Sequence, residues 1–282
     1  MTQIIDGKKI SQEIKDELRE QVAEQKKLGK EAVLAVIQVG TDPASSVYVN
    51  NKKKACAYIG IGSLSYELPE ETTEEELLAL VEKLNGDASV NGILVQLPLP
   101  AQIDADKVIR AIAPEKDVDG FHPVNVGLLS IGDDCYAPAT PSGIIAMFKE
   151  YGIEIAGKHC VIIGRSNIVG KPMAALLLRH NATVTVCHSK TQNLGELTRQ
   201  ADIVIVATGH RHTLTADMVK EGAVVIDVGM NRNELGKLCG DVDFEEVKEK
   251  ASFITPVPGG VGPMTITELL ENTILAAQRH HS

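Results

Sequence analysis

The sequence predicts an α/β protein in two lobes, the second of them a doubly wound parallel sheet. Three observations lead there. At 282 residues the chain exceeds a typical single domain, so two lobes are the expectation. Short apolar runs alternate with amphipathic stretches along the chain, the pattern of strands joined through crossover helices. Five such runs then recur at regular spacing between His159 and Thr255, with helical stretches between them.

Taken in order, Ile10, Ile14, Leu18 and Val22 recur every four residues and Gly29 closes the run, so the first helix is amphipathic. Residues 32–39 are apolar, end at Gly40 and are short enough for a buried strand. Asp42 and Pro43 supply an N-cap and a first-turn proline for a helix running to about Ile59, where Gly60 stops it. Thr73 and Glu76 form a capping box for a third helix through Leu77, Leu80, Val81 and Leu84. The acidic run just before that helix, from Glu67, reads as solvated surface. Residues 92–97, GILVQL, make another buried strand that Pro98 and Pro100 end; residues 104–112 make a fourth helix, and PEKDVDGFHP a loop.

Thr140 and Pro141 cap and start a helix that ends at Gly152. Strands follow at residues 159–163, 183–187, 203–207, 224–228 and 253–255. A last helix, capped by Thr265 with Glu268, carries Leu269, Leu270, Ile274 and Ala277 and is expected to return to the first lobe. The expected domains are therefore residues 1–139 completed by 264–282, and residues 140–263.

Composition removes several classes of function. A net charge of -10 argues against a general nucleic-acid or membrane-surface role. Five scattered cysteines, without a C-x-x-C pair, suggest reduced thiols rather than a disulfide frame or a zinc site. No His, Cys and Asp grouping has metal-ligand spacing. The opening MTQIIDGKK has no leader pattern and no segment is long enough to span a bilayer, so the expected location is the cytoplasm.

The first chemical signal is residues 160–172, CVIIGRSNIVGKP: a strand, a glycine turn and the start of a helix. That corner offers unpaired backbone N–H groups and a positive dipole end to an anion, as in dinucleotide folds. Ser166 stands where a second glycine would be and Gly170 comes one residue late, so a tight packing turn is the competing reading. The next strand ends in CHSKT, where an NAD-selective fold would carry an acid. Ser189, Lys190 and Thr191 offer donors instead, and Arg165 follows the first glycine; donors without an acid favour a ribose 2′-phosphate, hence NADP.

The second signal is the helix after Pro43, where Ser45, Tyr48, Lys52 and Cys56 share a face. A packing tyrosine beside a solvated lysine is one reading. A lysine drawn into a cleft, with a depressed pKa and able to act as a base, is the other. Gln96, at the carboxyl end of its strand, can reach a ligand or cap the following turn. Asp117 and Asp119 flank Val118 in an extended loop, so at most one of them points at a ligand. Residues 256–263, PVPGGVGP, give a loop whose backbone could approach a flat ligand closely.

These residues together resemble the bifunctional methylenetetrahydrofolate dehydrogenase/cyclohydrolase family of the bacterial FolD type. The likeness rests on Tyr48-x-x-x-Lys52, VQLPLP from Val95, PEKDVDG from Pro114, GRSNIVGKP from Gly164, CHSKT from Cys187 and ITPVPGGVGPMT from Ile254, and covers essentially the whole chain. It implies an N-terminal catalytic lobe and a Rossmann-like NADP lobe with a cleft between them. It implies NADP-dependent oxidation of 5,10-methylenetetrahydrofolate to the methenyl cation, then hydrolysis to 10-formyltetrahydrofolate. A monofunctional NAD-dependent methylenetetrahydrofolate dehydrogenase is the alternative. By motif, Lys52 is the key acid/base residue, Gln96 positions it, Tyr48 stacks on the folate rings and Asp119 holds the pterin's amino edge. Val95, Leu97, Pro258, Gly259, Gly260, Val261 and Gly262 join them in holding the folate. Gly164, Arg165, Ser166 and Ser189 hold NADP, with Met230 adding backbone contacts, and no metal is involved. A homodimer, and a place in the one-carbon supply to purine, methionine and histidine synthesis, are further implications.

Overall fold

The structure, a computed structural model, describes residues 2–280. It divides into two compact units. One consists of the chain up to Gln12 with Thr140–Thr265, the other of Glu13–Ala139 with the chain from Ile266 on. The first dozen residues thus pack with the stretch from Thr140, not with the lobe that follows them in sequence. The reason is a short strand, Gln3–Ile4, which pairs in parallel with Phe253–Ile254.

That pairing extends an all-parallel sheet of six strands. In spatial order they are Gln3–Ile4, Phe253–Ile254, Val224–Asp227, Ile203–Val206, His159–Ile163 and Thr183–Cys187. From His159–Ile163 the chain moves outward to Thr183–Cys187, then returns to the other side at Ile203–Val206. Strand order therefore reverses between His159–Ile163 and Ile203–Val206, and the carboxyl ends of these two strands frame the place where such sheets bind ligands. The buried runs IVIV and VVID carry no alternation because both faces of the sheet are covered.

The other unit holds a parallel sheet of three strands in the order Gly62–Leu68, Val33–Val39, Gly92–Val95. One face packs Leu34 and Val36 with Val49, Cys56 and Ile59 of the helix Pro43–Ile59 and with Leu269, Leu270 and Ile274 of the helix Val261–His280. The other packs Ala35, Ile37 and Val39 with Leu77, Val81 and Leu84 of the helix Glu74–Asn85.

Several elements depart from expectation. Gly62–Leu68 is an edge strand whose residues are mostly exposed, so no apolar alternation marks it. A helix, Pro123–Ile131, follows directly on what reads as a loop. Thr140 and Thr265 are not caps: each lies inside a helix, Ala139–Glu150 and Val261–His280, and their hydroxyls bond to each other at 2.9 Å. The capping box of Thr73 and Glu76 is present as expected.

Candidate functional site

The helix Pro43–Ile59 begins where the Asp42 carboxylate accepts the Ser45 N–H at 2.7 Å, and ends at Gly60 in the left-handed region. Its shared face is buried at Ser45, Lys52 and Cys56 and half-buried at Tyr48. Lys52 is only 7% exposed, which rules out the solvated reading of its ammonium. Burial pulls its pKa below the ordinary lysine value, while the Asp119 carboxylate pulls it back up. Burial pushes the Cys56 thiol up to about 11, so it stays a neutral thiol at physiological pH. Burial also raises Tyr48.

The partner of Lys52 comes from the strand next to the middle one. Register pairs Ile37 with Val95, and the Gln96 N–H then donates to the Ile37 carbonyl at 2.8 Å. Gln96 Oε1 accepts from Lys52 Nζ at 2.9 Å, and Gln96 Nε2 donates to the Leu97 carbonyl at 2.8 Å. The second bond fixes the amide orientation, because a carbonyl can only accept. Gln96 therefore caps its turn and at the same time presents an acceptor to the lysine. Val95 is buried in the core, so only its backbone can face a ligand, and Leu97 is half-buried before a cis peptide to Pro98.

The two loop aspartates separate as alternation requires. Asp117 accepts the Phe121 and His122 N–H groups and the Asn125 amide, and is buried in holding the loop. Asp119, half-buried, interacts electrostatically with Lys52; burial raises its pKa and the lysine lowers it. The Asn272 amide donates to the Val118 and Ala137 carbonyls at 2.9 and 3.0 Å, tying the loop to the C-terminal helix. Asn125 and Asn272 were not legible as site-builders, since each is a lone amide with no motif around it.

In the six-stranded unit the glycine turn sits at the point of strand reversal. A Cβ on Gly164 would stand 2.2 Å from the Ala207 carbonyl oxygen, and one on Gly170 2.2 Å from the Gly164 carbonyl oxygen. Both glycines thus serve close backbone approach, and the packing reading of the turn is correct as far as it goes. Ser166 Oγ accepts from the Val169 and Gly170 N–H groups at 3.1 and 3.4 Å, so its oxygen caps the helix Gly170–Arg179. Arg165 is exposed on this turn. Register pairs Ile163 with Cys187, so Arg165 and Ser189 each lie two residues past the end of neighbouring strands. Ser189 and Lys190 are exposed, while the His188 ring accepts the Lys190 N–H within its own turn. Met230 is half exposed in the loop after Val224–Asp227.

Within residues 256–262, the Val257–Pro258 peptide is cis and Gly259 has φ 106°. The Gly260 N–H bonds to the Pro256 carbonyl, and the Gly259 carbonyl accepts the Lys8 N–H at 3.2 Å. Pro258 is exposed, Gly259 and Gly262 are half-buried, and Val261 is buried where the last helix begins. The loop is thus a rigid turn against the chain's first helix, with Pro258 at its surface. Asp227 and Asp241, two buried carboxylates at the same end of the sheet as the glycine turn, carried no signal in the sequence. Among the described residues no group of three or more His, Cys, Asp or Glu could hold a metal ion.

Comparison with known proteins also divides the chain in two, with boundaries that follow the sequence and differ from the packing units near both termini. The family model described as the tetrahydrofolate dehydrogenase/cyclohydrolase catalytic domain matches residues 5–119, and its NAD(P)-binding domain matches residues 138–281. Bifunctional protein FolD of Lachnoclostridium phytofermentans is 64% identical over 99% of each chain. The crystal structure of the FolD methylenetetrahydrofolate dehydrogenase/cyclohydrolase of Campylobacter jejuni is 56% identical, covers 99% of each chain and superposes with a TM-score of 0.97. The Trypanosoma brucei enzyme, complexed with NADP and an inhibitor, is 40% identical over 99% of this chain and 98% of its own, with a TM-score of 0.94.

Proposed function

Because the chain belongs to the tetrahydrofolate dehydrogenase/cyclohydrolase family, we infer a division of labour between its two groups of residues. The protein is a bifunctional enzyme. It oxidises 5,10-methylenetetrahydrofolate to 5,10-methenyltetrahydrofolate with NADP and hydrolyses that product to 10-formyltetrahydrofolate. A monofunctional NAD-dependent reading has no better support, because donors stand where NAD selectivity needs an acid.

The residues present fit NADP. The helix start at Gly170 and the close Gly164 turn offer backbone to a pyrophosphate, and Arg165 with Ser189 offers donors to a 2′-phosphate. Ser166 acts by holding the helix start, and Met230 by its backbone. When bound, NADP supplies the hydride acceptor for the first reaction.

Lys52 carries the second reaction. The methenyl carbon is already an electrophile, so water needs only a well-placed proton acceptor. A neutral Lys52 amine takes a proton as the water oxygen bonds to that carbon. The resulting ammonium returns that proton to the ring nitrogen as its C–N bond breaks, and the adduct's hydroxyl gives up its own proton to solvent as the C–O bond becomes the formyl carbonyl. Gln96 Oε1 holds Nζ in place and accepts from it in either charge state. Burial favours the neutral amine, which also avoids placing a cation against a cation. Asp119 holds the pterin's amino edge, Tyr48 stacks on the rings and residues 95–97 line them, while residues 258–262 are the further folate contacts that the family resemblance implies. The observation carrying this reading is the buried Lys52–Gln96 hydrogen bond.

Mixing the enzyme with methylenetetrahydrofolate and NADP should produce methenyl absorbance that then decays. Absence of any methenyl signal would overturn the reading. A homodimer, a cytoplasmic location and service to purine, methionine and histidine synthesis belong to the same proposal; sedimentation of the purified chain tests the first.

A further inference from the structure

Two buried carboxylates stand together at the carboxyl ends of the strands Ile203–Val206 and Val224–Asp227. Asp241 is fully buried and Asp227 nearly so. Asp241 Oδ2 accepts three donors: the Thr208 N–H at 2.7 Å, the Thr208 hydroxyl at 2.9 Å and the Gly209 N–H at 2.9 Å. Its Oδ1 accepts the Asn231 amide at 2.8 Å. Asp227 accepts the N–H groups of Gly229, Asp241 and Val242 at 2.9, 3.0 and 3.0 Å. A Cβ on Gly229 would stand 2.1 Å from Asp241 Oδ1, and one on Gly240 1.8 Å from Asp227 Oδ2, so backbone closes directly over both carboxylates.

The turn that Asp241 grips is the one closing on the glycine corner: the Ala207 carbonyl lies where a Gly164 side chain would be. The loop it grips through Asn231 is the one bearing Met230. Past the end of the strand Ile203–Val206, the Thr208 and Gly209 N–H groups find the Asp241 carboxylate as their partner. A single buried carboxylate collects these two N–H groups, the Thr208 hydroxyl and the Asn231 side-chain amide, and so fixes two segments of the rim relative to each other.

We propose that Asp241 is a positioning residue for the dinucleotide, setting the rim of the reversal point at residues 207–209 and 229–231 without touching the ligand. It acts through the loops, so its loss should weaken the dinucleotide and leave the hydrolytic chemistry in place. The inference rests on NADP being the ligand of this unit.

The test measures NADP affinity by calorimetry, together with the NADP-independent hydrolysis of methenyltetrahydrofolate. In Asp241→Asn one oxygen still serves Thr208 and Gly209, but its amide meets the Asn231 amide, donor against donor. NADP affinity should fall about tenfold or more, with hydrolysis within about twofold of the parent. Thr208→Val, which removes only the hydroxyl donor, should give a smaller loss and keeps the test open if Asp241→Asn does not fold. Unchanged NADP affinity in Asp241→Asn, or in Thr208→Val if that alone folds, overturns the assignment. Failure of the parent enzyme to bind NADP would instead overturn the cofactor reading on which the inference stands.

Discussion

Lys52 Nζ and Gln96 Oε1 lie 2.9 Å apart, with the glutamine amide pinned from behind by the Leu97 carbonyl. The lysine is thus held by a neutral acceptor inside a buried site, where a carboxylate at the same place would have fixed it as a cation.

Replacing the amine is the first consequence to measure. Lys52→Met should abolish methenyl hydrolysis, by about three orders of magnitude or more, while methylene oxidation falls less. Retention of full hydrolysis in this variant would remove Lys52 from the mechanism.

Gln96→Glu keeps the shape and adds a charge. The new carboxylate raises the pKa of Lys52, so the cation persists to higher pH and hydrolysis near neutrality should drop about tenfold or more. The rising limb of the hydrolytic pH profile should move upward from its position in the parent, which burial sets below the ordinary lysine value of 10.5. A profile that stays put would show that the two side chains are not coupled.

Arg165 and Ser189 each lie two residues past the end of adjoining strands. Arg165→Ala should raise KM for NADP about tenfold or more and leave the weak turnover with NAD nearly unchanged, since only NADP carries the 2′-phosphate. Equal losses with both cofactors would place the arginine elsewhere on the nucleotide.

Glu268 gives a stability prediction. Burial, with Glu271 nearby, pushes its carboxyl up to about 8 from 4.5. Its folded pKa lies above its unfolded one, so the folded state holds the extra proton and stability falls as pH rises from 4.5 toward 8. Glu268→Gln removes that loss. The variant should match the parent near pH 4.5 and exceed it by on the order of a few kcal/mol above pH 8, followed by thermal unfolding across the range. A stability difference independent of pH would mean that Glu268 does not titrate as described.

How much of this was legible depends on what each residue advertises. The helix Pro43–Ile59 announces its start, stop and buried face, and Tyr48, Lys52 and Cys56 follow from spacing alone. The alternation rule separated Asp117 from Asp119. The edge strand Gly62–Leu68 was invisible because an exposed strand needs no apolar pattern. Thr140 and Thr265 looked like caps because a threonine before an apolar run has that signature. Their actual use, a hydroxyl pair 125 residues apart, leaves none. Asn272 and Asp241 act through long-range bonds to backbone, and Asn125 through its amide to Asp117 and the Pro114 carbonyl; such bonds write no motif into local sequence.

The helix Val261–His280 carries Leu269, Leu270, Ile274, Ala276 and Ala277 into the core that also holds Leu34, Val36 and Val49. On the ribosome, then, the catalytic lobe is made first and finished last. Its early residues emerge with one wall of their core still unsynthesised, and Asp119 waits on Asn272 for the bond that anchors its loop. Hydrolytic activity should therefore be absent from every nascent chain that stops short of residue 272, however much of the rest has already folded.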